Sequence, residues 1–324
     1  MNFKLHTYSE IIISVKNLDA VLPIYTDILG WEVIWRGEGD ASQIKFWQLP
    51  NTCKTEEIVL QFQKMTFGQI RLVQFKNIEQ KLIRPAGQTW DTGGILDIDL
   101  RTSDIQKTYD QLTDLGWHAY SRPVTQTMGP FTVEEVLLKG HDEVVIALVH
   151  RSNPPHPNPF EVEGITSNVY LSAIIVKDLQ NSTHFFVEQL GFISHNEIAF
   201  KTEQPETTMF GLPHNLSDKT NIKLNIIGPT DTRDGLLDLV ELEGLIGEDF
   251  SMNACPPNRG ILMYRFPVEN IENYYQFIQN NGVKPRLKLQ KIQLLNIGEV
   301  DIFAVQSEDG VWIEFYEKHK LNFS

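Results

Sequence analysis

Cysteine is scarce in this sequence, with two residues, Cys53 and Cys255, among 324. The two lie far apart and outside any CxxC spacing, which argues against a disulfide framework and against a cysteine-rich zinc site. We therefore expect two reduced thiols.

Basic residues are also few: 28 Lys and Arg stand against 42 Asp and Glu, which gives a formal net charge of −14. Nucleic acids and anionic membranes attract proteins mainly through Lys and Arg, so neither is an expected partner. The N-terminal stretch MNFKLHTYSE lacks the apolar core of a signal peptide. No apolar run approaches the length of about 18 residues that suggests a membrane helix. These absences predict a cytoplasmic protein.

Motifs that would name a reaction are missing too. Nine histidines are present, but none forms an HxH or HExxH pattern. The sequence has no serine nucleophile elbow and no phosphate-binding glycine loop. The function therefore has to be inferred from the fold and from the residues that the fold brings together.

What the sequence does contain is one pattern written four times. A short apolar strand leads to an Asn or Asp suited to cap a helix, an amphipathic helix follows, and a glycine ends it before further strands. The capping residues are Asn17, Asp104, Asp178 and Asn270, and the glycines are Gly30, Gly116, Gly191 and Gly282. The pattern predicts four βαβββ units and therefore an α+β protein.

The spacing within the pattern alternates along the chain. From cap to glycine the distance is 13, 12, 13 and 12 residues in chain order, which indicates that a two-unit protein was itself duplicated. The stretch RSNPPHPNPFEVEG between the second and third units is typical of a stiff linker. We predict an N-terminal domain of two paired units over residues 1–152, a linker over 153–164 and a C-terminal domain of two paired units over 165–324.

These units resemble the vicinal oxygen chelate superfamily, which includes glyoxalase I, bleomycin resistance proteins and extradiol dioxygenases. VKNLDAVLPIYTDILG and VKDLQNSTHFFVEQLG match its opening signature, and DGVWIEFYE, from Asp309 to Glu317, matches its closing signature. The resemblance implies that units pair so that their mixed sheets curl into two cups.

The resemblance also implies where metal ligands would stand. The family's usual first-strand ligand is a histidine seven positions before the cap, where this sequence has Glu10, Asp97, Leu171 and Met263. The last-strand ligand is the glutamate of the closing signature, which corresponds to Glu314 in unit 4, Ala147 in unit 2, Glu241 in unit 3 and Arg71 or Leu72 in unit 1. The iron site of two histidines and one glutamate is thus absent. The cofactor stays open: a divalent metal held by Glu10 and Asp97, a metal held by Glu314, or none.

Strand alternation places Glu10, Asp97 and Asp99 on the faces that look into the N-terminal cup. Buried carboxylates without partners are costly, so these three are candidates for metal ligands or for a general acid and base. Alternatively they pair with nearby arginines or line a water-filled cleft.

The segment IRPAGQTWDTGG, which enters unit 2, carries Arg84 and Trp90. With Arg101 on the cup face, these side chains are candidates for substrate binding, because Arg recognises an oxyanion and Trp packs on an apolar body. Trp90 alternatively holds two units together.

These residues predict an enzyme that acts on a small organic molecule by proton transfer, as an isomerase, epimerase or lyase, in the N-terminal cup. The alternatives are a metal-dependent dioxygenase and a noncatalytic binding protein for a small molecule such as a drug or antibiotic. Four units in one chain can complete two cups alone, so a monomer and a homodimer both remain open.

Overall fold

The computed structural model describes residues 2–128, 130–155 and 166–319. The four predicted units are present. Unit 1 contains β1 (Lys4–Leu5), β2 (Glu10–Ser14), α1 (Leu18–Pro23), β3 (Glu32–Glu38), α2 (Ala41–Phe46), β4 (Lys54–Gln61) and β5 (Gln69–Lys76). Unit 2 contains β6 (Asp97–Arg101), α3 (Ile105–Asp114), β7 (His118–Ala119), β8 (Val124–Met128), β9 (Phe131–Lys139) and β10 (Val145–Asn153).

Units 3 and 4 repeat this order of elements. Unit 3 contains β11 (Ala173–Ile175), α4 (Leu179–Thr183), β12 (Ile193–Phe200), α5 (His214–Ser217), β13 (Asn221–Gly228) and β14 (Leu237–Glu243). Unit 4 contains β15 (Gly260–Glu269), α6 (Ile271–Asn280), β16 (Leu287–Leu294), β17 (Gly298–Gln306) and β18 (Trp312–Lys318). No helix in the described residues is both long and apolar enough to span a membrane.

The helices of units 1 and 3 end differently from those of units 2 and 4. α1 continues into a π-helical segment, Ile24–Ile28, and α4 into another, His184–Gln189. A π-turn takes up an extra residue, which accounts for the longer spacing between cap and glycine in these two units. The four glycines that end the helices all have positive φ, from 78° at Gly30 to 90° at Gly282, as predicted.

Three of the four predicted helix caps form. The side chains of Asn17, Asp104 and Asp178 each accept a hydrogen bond from a backbone N–H in the first turn. The prediction for Asn270 was wrong: this residue has a left-handed backbone, with φ of 59°, and its side chain makes no capping bond. An N-cap normally requires an extended backbone. The carboxylate of Glu317 replaces it and accepts from the N–H groups of Asn270 and Ile271.

The strand order joins unit 1 to unit 4. A nine-stranded sheet has the order β16-β17-β18-β15-β2-β5-β4-β3, with β1 on β15. Where the units meet, β2 and β15 run antiparallel and Glu10 lies opposite Arg265. The predicted pairing of unit 1 with unit 2 was therefore wrong. All four units have a similar first strand, so the order of units along the chain does not determine which two edges meet.

Units 2 and 3 meet through the equivalent first strands, β6 and β11, but these strands belong to two separate sheets. Their sheets have the orders β6-β10-β9-β7, with β8 on β9, and β11-β14-β13-β12. Asp99 on β6 bridges to Leu171, and the N–H of Leu96 donates to the carbonyl oxygen of Ala173 at 2.9 Å. We call the two concave faces cup 1/4 and cup 2/3. Residues 156–164 of the predicted linker lie outside the described residues, and the division of the chain at 153–164 remains a prediction.

The hydrophobic core is divided by the sheets. The largest cluster contains Ile11, Ile13, Ile98 and Leu100 and lies on the helix side. A second cluster, which includes Ile12, lies in cup 1/4, and a third lies in cup 2/3. The strand alternation that the sequence predicted is confirmed, and it fixes which side chains can form a site.

Candidate functional site

Each unit places three matched positions in a cup. The outer position is seven residues before the helix cap, the inner position is five residues before it, and the last-strand position is the residue paired with the inner one on the neighbouring parallel strand. In the order outer, inner and last-strand, the residues are Glu10, Ile12 and Arg71 in unit 1; Asp97, Asp99 and Ala147 in unit 2; Leu171, Ala173 and Asp238 in unit 3; and Met263, Arg265 and Glu314 in unit 4.

This register corrects the candidate ligand in unit 3. The last-strand position belongs to Asp238, and Glu241 lies three residues further along. Glu241 accepts a hydrogen bond at 3.1 Å from the N–H of Leu179 at the start of α4. Gln74 and Glu317 have the same offset and do the same in units 1 and 4. Glu241 therefore satisfies a helix terminus, whose first N–H groups lack partners within the helix.

Cup 1/4 contains a buried network of ions. Arg71 donates from Nε to Glu10 at 3.0 Å and from a terminal nitrogen to Glu57 at 2.7 Å. Arg265 donates to Glu10 at 2.5 Å and to Glu314 at 2.8 Å. All five side chains are buried. The network therefore contains three carboxylates and two guanidinium groups, each ion with a partner of opposite charge.

The charges of this network stabilise one another. Burial alone would raise the pKa of Glu10, but Arg71 and Arg265 outweigh burial and lower it. For Arg265, burial opposes the charge, and the two carboxylates Glu314 and Glu10 nevertheless raise its pKa. Glu10 is therefore an ionised partner of two arginines, an arrangement that suits structure better than proton transfer.

The chain of unit 1 also covers this cup. The segment of α2 and Trp47 inserts apolar side chains into the cluster of cup 1/4. The indole Nε1 of Trp47 donates to Glu314 at 2.6 Å, and Gln43 donates to Glu57 at 3.0 Å. The carboxylates of cup 1/4 are thus held from both sides by groups of the protein itself.

Cup 2/3 has carboxylates without such partners. Asp97 accepts from the N–H of Ala173 at 2.8 Å. Its neighbour on the cup face, Asp99, is 5% exposed, and its Oδ1 has no hydrogen-bond partner among the described residues. Burial raises the pKa of both groups. The negative charge of Asp97 raises the pKa of Asp99 further, so Asp99 is the member that holds a proton more tightly.

Two further carboxylates face this pair. Burial, followed by the charge of Asp97, raises the pKa of Asp238 to about 8. Glu135 on β9 has its pKa raised to about 8 by burial and by the charges of Asp97 and Asp238. Both side chains are partly exposed, whereas Asp97 and Asp99 are buried. No ion pair in the described part of the chain includes any of these four carboxylates.

Arg101 is the predicted binding residue that remains available in cup 2/3. Its guanidinium carbon lies 3.8 Å from the centre of the Tyr170 ring. This stacking orients a positive charge without neutralising it. Arg101 follows Asp97 and Asp99 on the same face of β6. The three residues that the sequence placed on one cup face therefore lie side by side.

Arg84 is engaged elsewhere. Its guanidinium is buried and donates to the backbone carbonyl oxygens of Gln88, Asp91 and Gly93 at 2.9–3.0 Å. Burial lowers the pKa of Arg84. These contacts fix the loop that carries Trp90, and they leave Arg84 no place in a substrate site.

Trp90 packs against the apolar cluster of cup 2/3 together with Tyr120. The same cluster contains Met209 and Phe210 from the connection between β12 and β13. The hydroxyl of Thr89 donates to the carbonyl oxygen of Phe210 at 2.5 Å and joins the two loops. One wall of cup 2/3 is thus apolar and aromatic.

The sequence prediction missed the carboxylates on the remaining strands. Glu57 on β4 and Glu135 on β9 lie at equivalent places, each opposite the residue two beyond the last-strand position. The same strand alternation that selected Asp97 would have selected both, had it been applied beyond the first and last strands. Glu10 was predicted beside Asp97 and Asp99, and it lies in the other cup because unit 1 pairs with unit 4.

A metal ion can be tested against the donors that the cups offer. In cup 1/4, Arg71 and Arg265 contact all three carboxylates, those of Glu10, Glu57 and Glu314. These residues therefore do not fit a metal cation. The matched positions of cup 2/3 offer oxygen donors and no histidine, which does not fit ferrous iron of the two-histidine type. No group of three or more His, Cys, Asp or Glu residues is arranged to hold a metal ion in the described ranges.

Comparison with known proteins identifies the fold. Residues 6–134 match the family model of the Glyoxalase/Bleomycin resistance protein/Dioxygenase superfamily. The predicted resemblance is confirmed. No curated protein matches the sequence.

Two solved structures share the fold over nearly the whole chain. Glyoxalase I from Zea mays is 15% identical, with a TM-score of 0.62 over 98% of this chain and 92% of that one. A putative dioxygenase from Bacillus subtilis is 8% identical, with a TM-score of 0.58 over 98% of this chain and 86% of that one. At these identities the likeness concerns the fold, and the reaction has to be argued from the site.

Proposed function

We propose that cup 2/3 is the reaction site of an enzyme that moves a proton on a small organic molecule, by isomerisation, epimerisation or lysis. The observation that carries the proposal is the buried Oδ1 of Asp99, which has no partner among the described residues and stands beside Asp97. A carboxyl pair that shares a proton can supply both a base and an acid at neutral pH.

The roles follow from the environments of the three cup residues. Asp97, the more readily ionised member, accepts a proton from a carbon next to a carbonyl group, and the C–H electrons form an enolate. Arg101 stabilises the negative oxygen of that enolate. The proton held by Asp97 or Asp99 then returns to the other face of the carbon, to the adjacent carbon, or to a leaving group.

A second candidate is a noncatalytic binding protein, and the apolar wall formed by Trp90, Tyr120 and Met209 favours it. Aromatic walls with a few polar groups are typical of small-molecule sites. Both candidates use cup 2/3, and they differ in whether neutralising the carboxyl pair removes turnover.

Hydrogen exchange into a panel of small carbonyl compounds tests the proposal. The protein is incubated in D2O with 2-oxo acids, α-hydroxy ketones and α-amino ketones, and loss of the α-proton signal is followed by NMR. Asp97→Asn and Asp99→Asn should each slow exchange by at least about 100-fold. The matched control Asp110→Asn alters an exposed carboxylate on α3 and should leave the rate unchanged.

The circular dichroism spectrum of each variant shows whether it is folded. Exchange that persists in folded Asp97→Asn and Asp99→Asn would refute the proposed acid and base. Ligand-induced chemical shifts without any exchange would favour the binding protein.

A further inference from the structure

We propose that cup 2/3 binds the positively charged nitrogen group of its ligand, a guanidinium or an ammonium, between Asp97, Asp238 and Glu135. The inference rests on the proposed function only in that cup 2/3 is the ligand site. It applies equally to an enzyme and to a binding protein, and it names the chemical class of the ligand.

The two cups have the same three carboxylates at matched positions. The outer position has Glu10 in unit 1 and Asp97 in unit 2. The last-strand position has Glu314 in unit 4 and Asp238 in unit 3. The strand next to the last one adds Glu57 in unit 1 and Glu135 in unit 2, in the same register.

The cations of the two cups differ at matched positions. Arg71 at the last-strand position of unit 1 corresponds to Ala147 in unit 2, and Arg265 at the inner position of unit 4 corresponds to Ala173 in unit 3. Both guanidinium groups of cup 1/4 are therefore replaced by a methyl group in cup 2/3. The carboxylates that those groups would neutralise are retained.

The retained carboxylates form no ion pair among the described residues. The charge of Arg84 reaches Asp97 and lowers its pKa, and Arg101 stacks on Tyr170, but neither contacts a carboxylate of the cup. Oδ1 of Asp99, which is 95% buried, and Oδ1 of Asp238 have no hydrogen-bond partner in the described ranges. An unpaired buried carboxylate costs free energy that a cation would recover. Cup 1/4 demonstrates within the same molecule that a guanidinium satisfies this arrangement, since Arg265 contacts both Glu10 and Glu314.

The surroundings favour an organic cation. Aromatic surface in or near the cup comes from Tyr170, Trp90 and Tyr120. It suits the apolar body of an amine or guanidine, and the faces of the rings suit its positive charge. At two of the three carboxylate positions cup 2/3 has Asp where cup 1/4 has Glu. The shorter side chain leaves more space for an external group.

Cation binding would also assist the proposed chemistry. A positive charge beside Asp97 and Asp99 favours their ionised forms, so the ligand would release protons on binding and create the base next to its own reacting carbon. Affinity should therefore rise with pH between 6 and 8, because protons compete with the ligand for the same carboxylates.

Matched probes separate charge from shape. Butylguanidine and butylamine are compared with the neutral isostere butylurea by isothermal titration calorimetry and by thermal shift. We expect the cations to bind at least tenfold more tightly than butylurea at pH 8, to bind more weakly at pH 6, and to release protons, as measured in two buffers of different ionisation enthalpy.

Variants place the binding in the cup. Asp238→Asn should weaken butylguanidine binding at least tenfold. Ala173→Arg should abolish binding and raise the melting temperature, because it supplies the missing guanidinium internally. If Ala173→Arg does not fold, Asp238→Asn and Asp97→Asn still decide the matter, with Asp110→Asn as the control of equal charge change.

Three results would overturn the inference: cations that bind no better than butylurea, binding that is unchanged in Asp238→Asn and Asp97→Asn, or stabilisation by Mn²⁺ or Mg²⁺ alone without any by the organic cations. Hydrogen exchange in carbonyl compounds reports separately on catalysis. Exchange without cation binding would reject this inference alone, and cation binding without exchange would reject the catalytic proposal alone.

Discussion

Cup 1/4 and cup 2/3 are built from the same unit and carry carboxylates at the same three positions, but only cup 1/4 supplies cations to neutralise them. In cup 1/4 Arg71 and Arg265 contact every carboxylate. In cup 2/3 alanines stand at the equivalent positions. The first cup is thus a closed structural network, and the second has the unbalanced charge that is typical of a functional site.

The difference teaches that buried carboxylates at these positions can be balanced in two ways. Arg71 and Arg265 balance them within cup 1/4, and under our proposal a cation of the ligand balances them in cup 2/3. Removing charges from each cup in turn tests this contrast.

The largest effect is expected from Arg265→Met in cup 1/4. The substitution leaves Glu10 and Glu314 buried with fewer partners, and breaking a buried ion pair from one side costs about 3–5 kcal/mol. Urea denaturation should show this loss in the free energy of unfolding. The control is a triple variant, Arg265→Met with Glu10→Gln and Glu314→Gln, which removes the unpaired charges and should recover most of the loss. A single variant as stable as the wild type would contradict the structural role of the network.

The pH dependence of the free energy of unfolding should report on the buried carboxyl groups of cup 2/3. The pKa of Asp238 is raised to about 8 in the folded protein, against about 3.9 when unfolded. The folded state therefore holds a proton that the unfolded state has released, and stability falls as the pH rises between these values. We expect a loss of about 2 kcal/mol between pH 5 and pH 7 from this group, after allowance for its partial exposure.

Asp238→Asn should make that part of the curve less steep, while Glu135, Asp97 and Asp99 still contribute to it. Glu10 behaves with the opposite sign: its lowered pKa contributes stability that is present above the unfolded value of about 4.3 and is lost as the pH falls through the folded value. Denaturation of wild type and Asp238→Asn at a series of pH values measures the fall in stability as the pH rises and the loss of stability in acid. An unchanged curve for Asp238→Asn would mean that Asp238 is not held in its protonated form.

The sequence predicted the fold because its signals are local. A capping residue, an apolar stripe and a terminal glycine specify each unit, and alternation along β2 and β6 correctly assigned Glu10, Asp97 and Asp99 to cup faces. These features depend on neighbours within a few residues, and a single sequence contains them.

The composition of the site was predicted only in part because it depends on which edges pair. Glu10 and Arg265 are separated by 255 residues along the chain and lie opposite each other across two antiparallel first strands. Every unit offers a similar first strand, so local patterns do not distinguish pairing with a neighbouring unit from pairing with a distant one. Asp97, Asp99 and Arg101 were grouped correctly because they share one strand.

The smallest effect concerns two glutamates on last strands, Glu317 and Glu241, which accept hydrogen bonds from N–H groups at the starts of α6 and α4. Glu317 accepts from two N–H groups at the start of α6, where Asn270 provides no cap, whereas Glu241 accepts from one at the start of α4, where Asp178 already caps. Glu317→Ala should therefore cost about 1–2 kcal/mol and Glu241→Ala about 0.5 kcal/mol in the free energy of unfolding. Gln variants at both positions retain an acceptor and serve as controls. Equal losses at the two positions would show that the left-handed backbone at Asn270 does not make α6 depend on Glu317, and a loss of ligand binding in Glu241→Ala would return that residue to the site of cup 2/3.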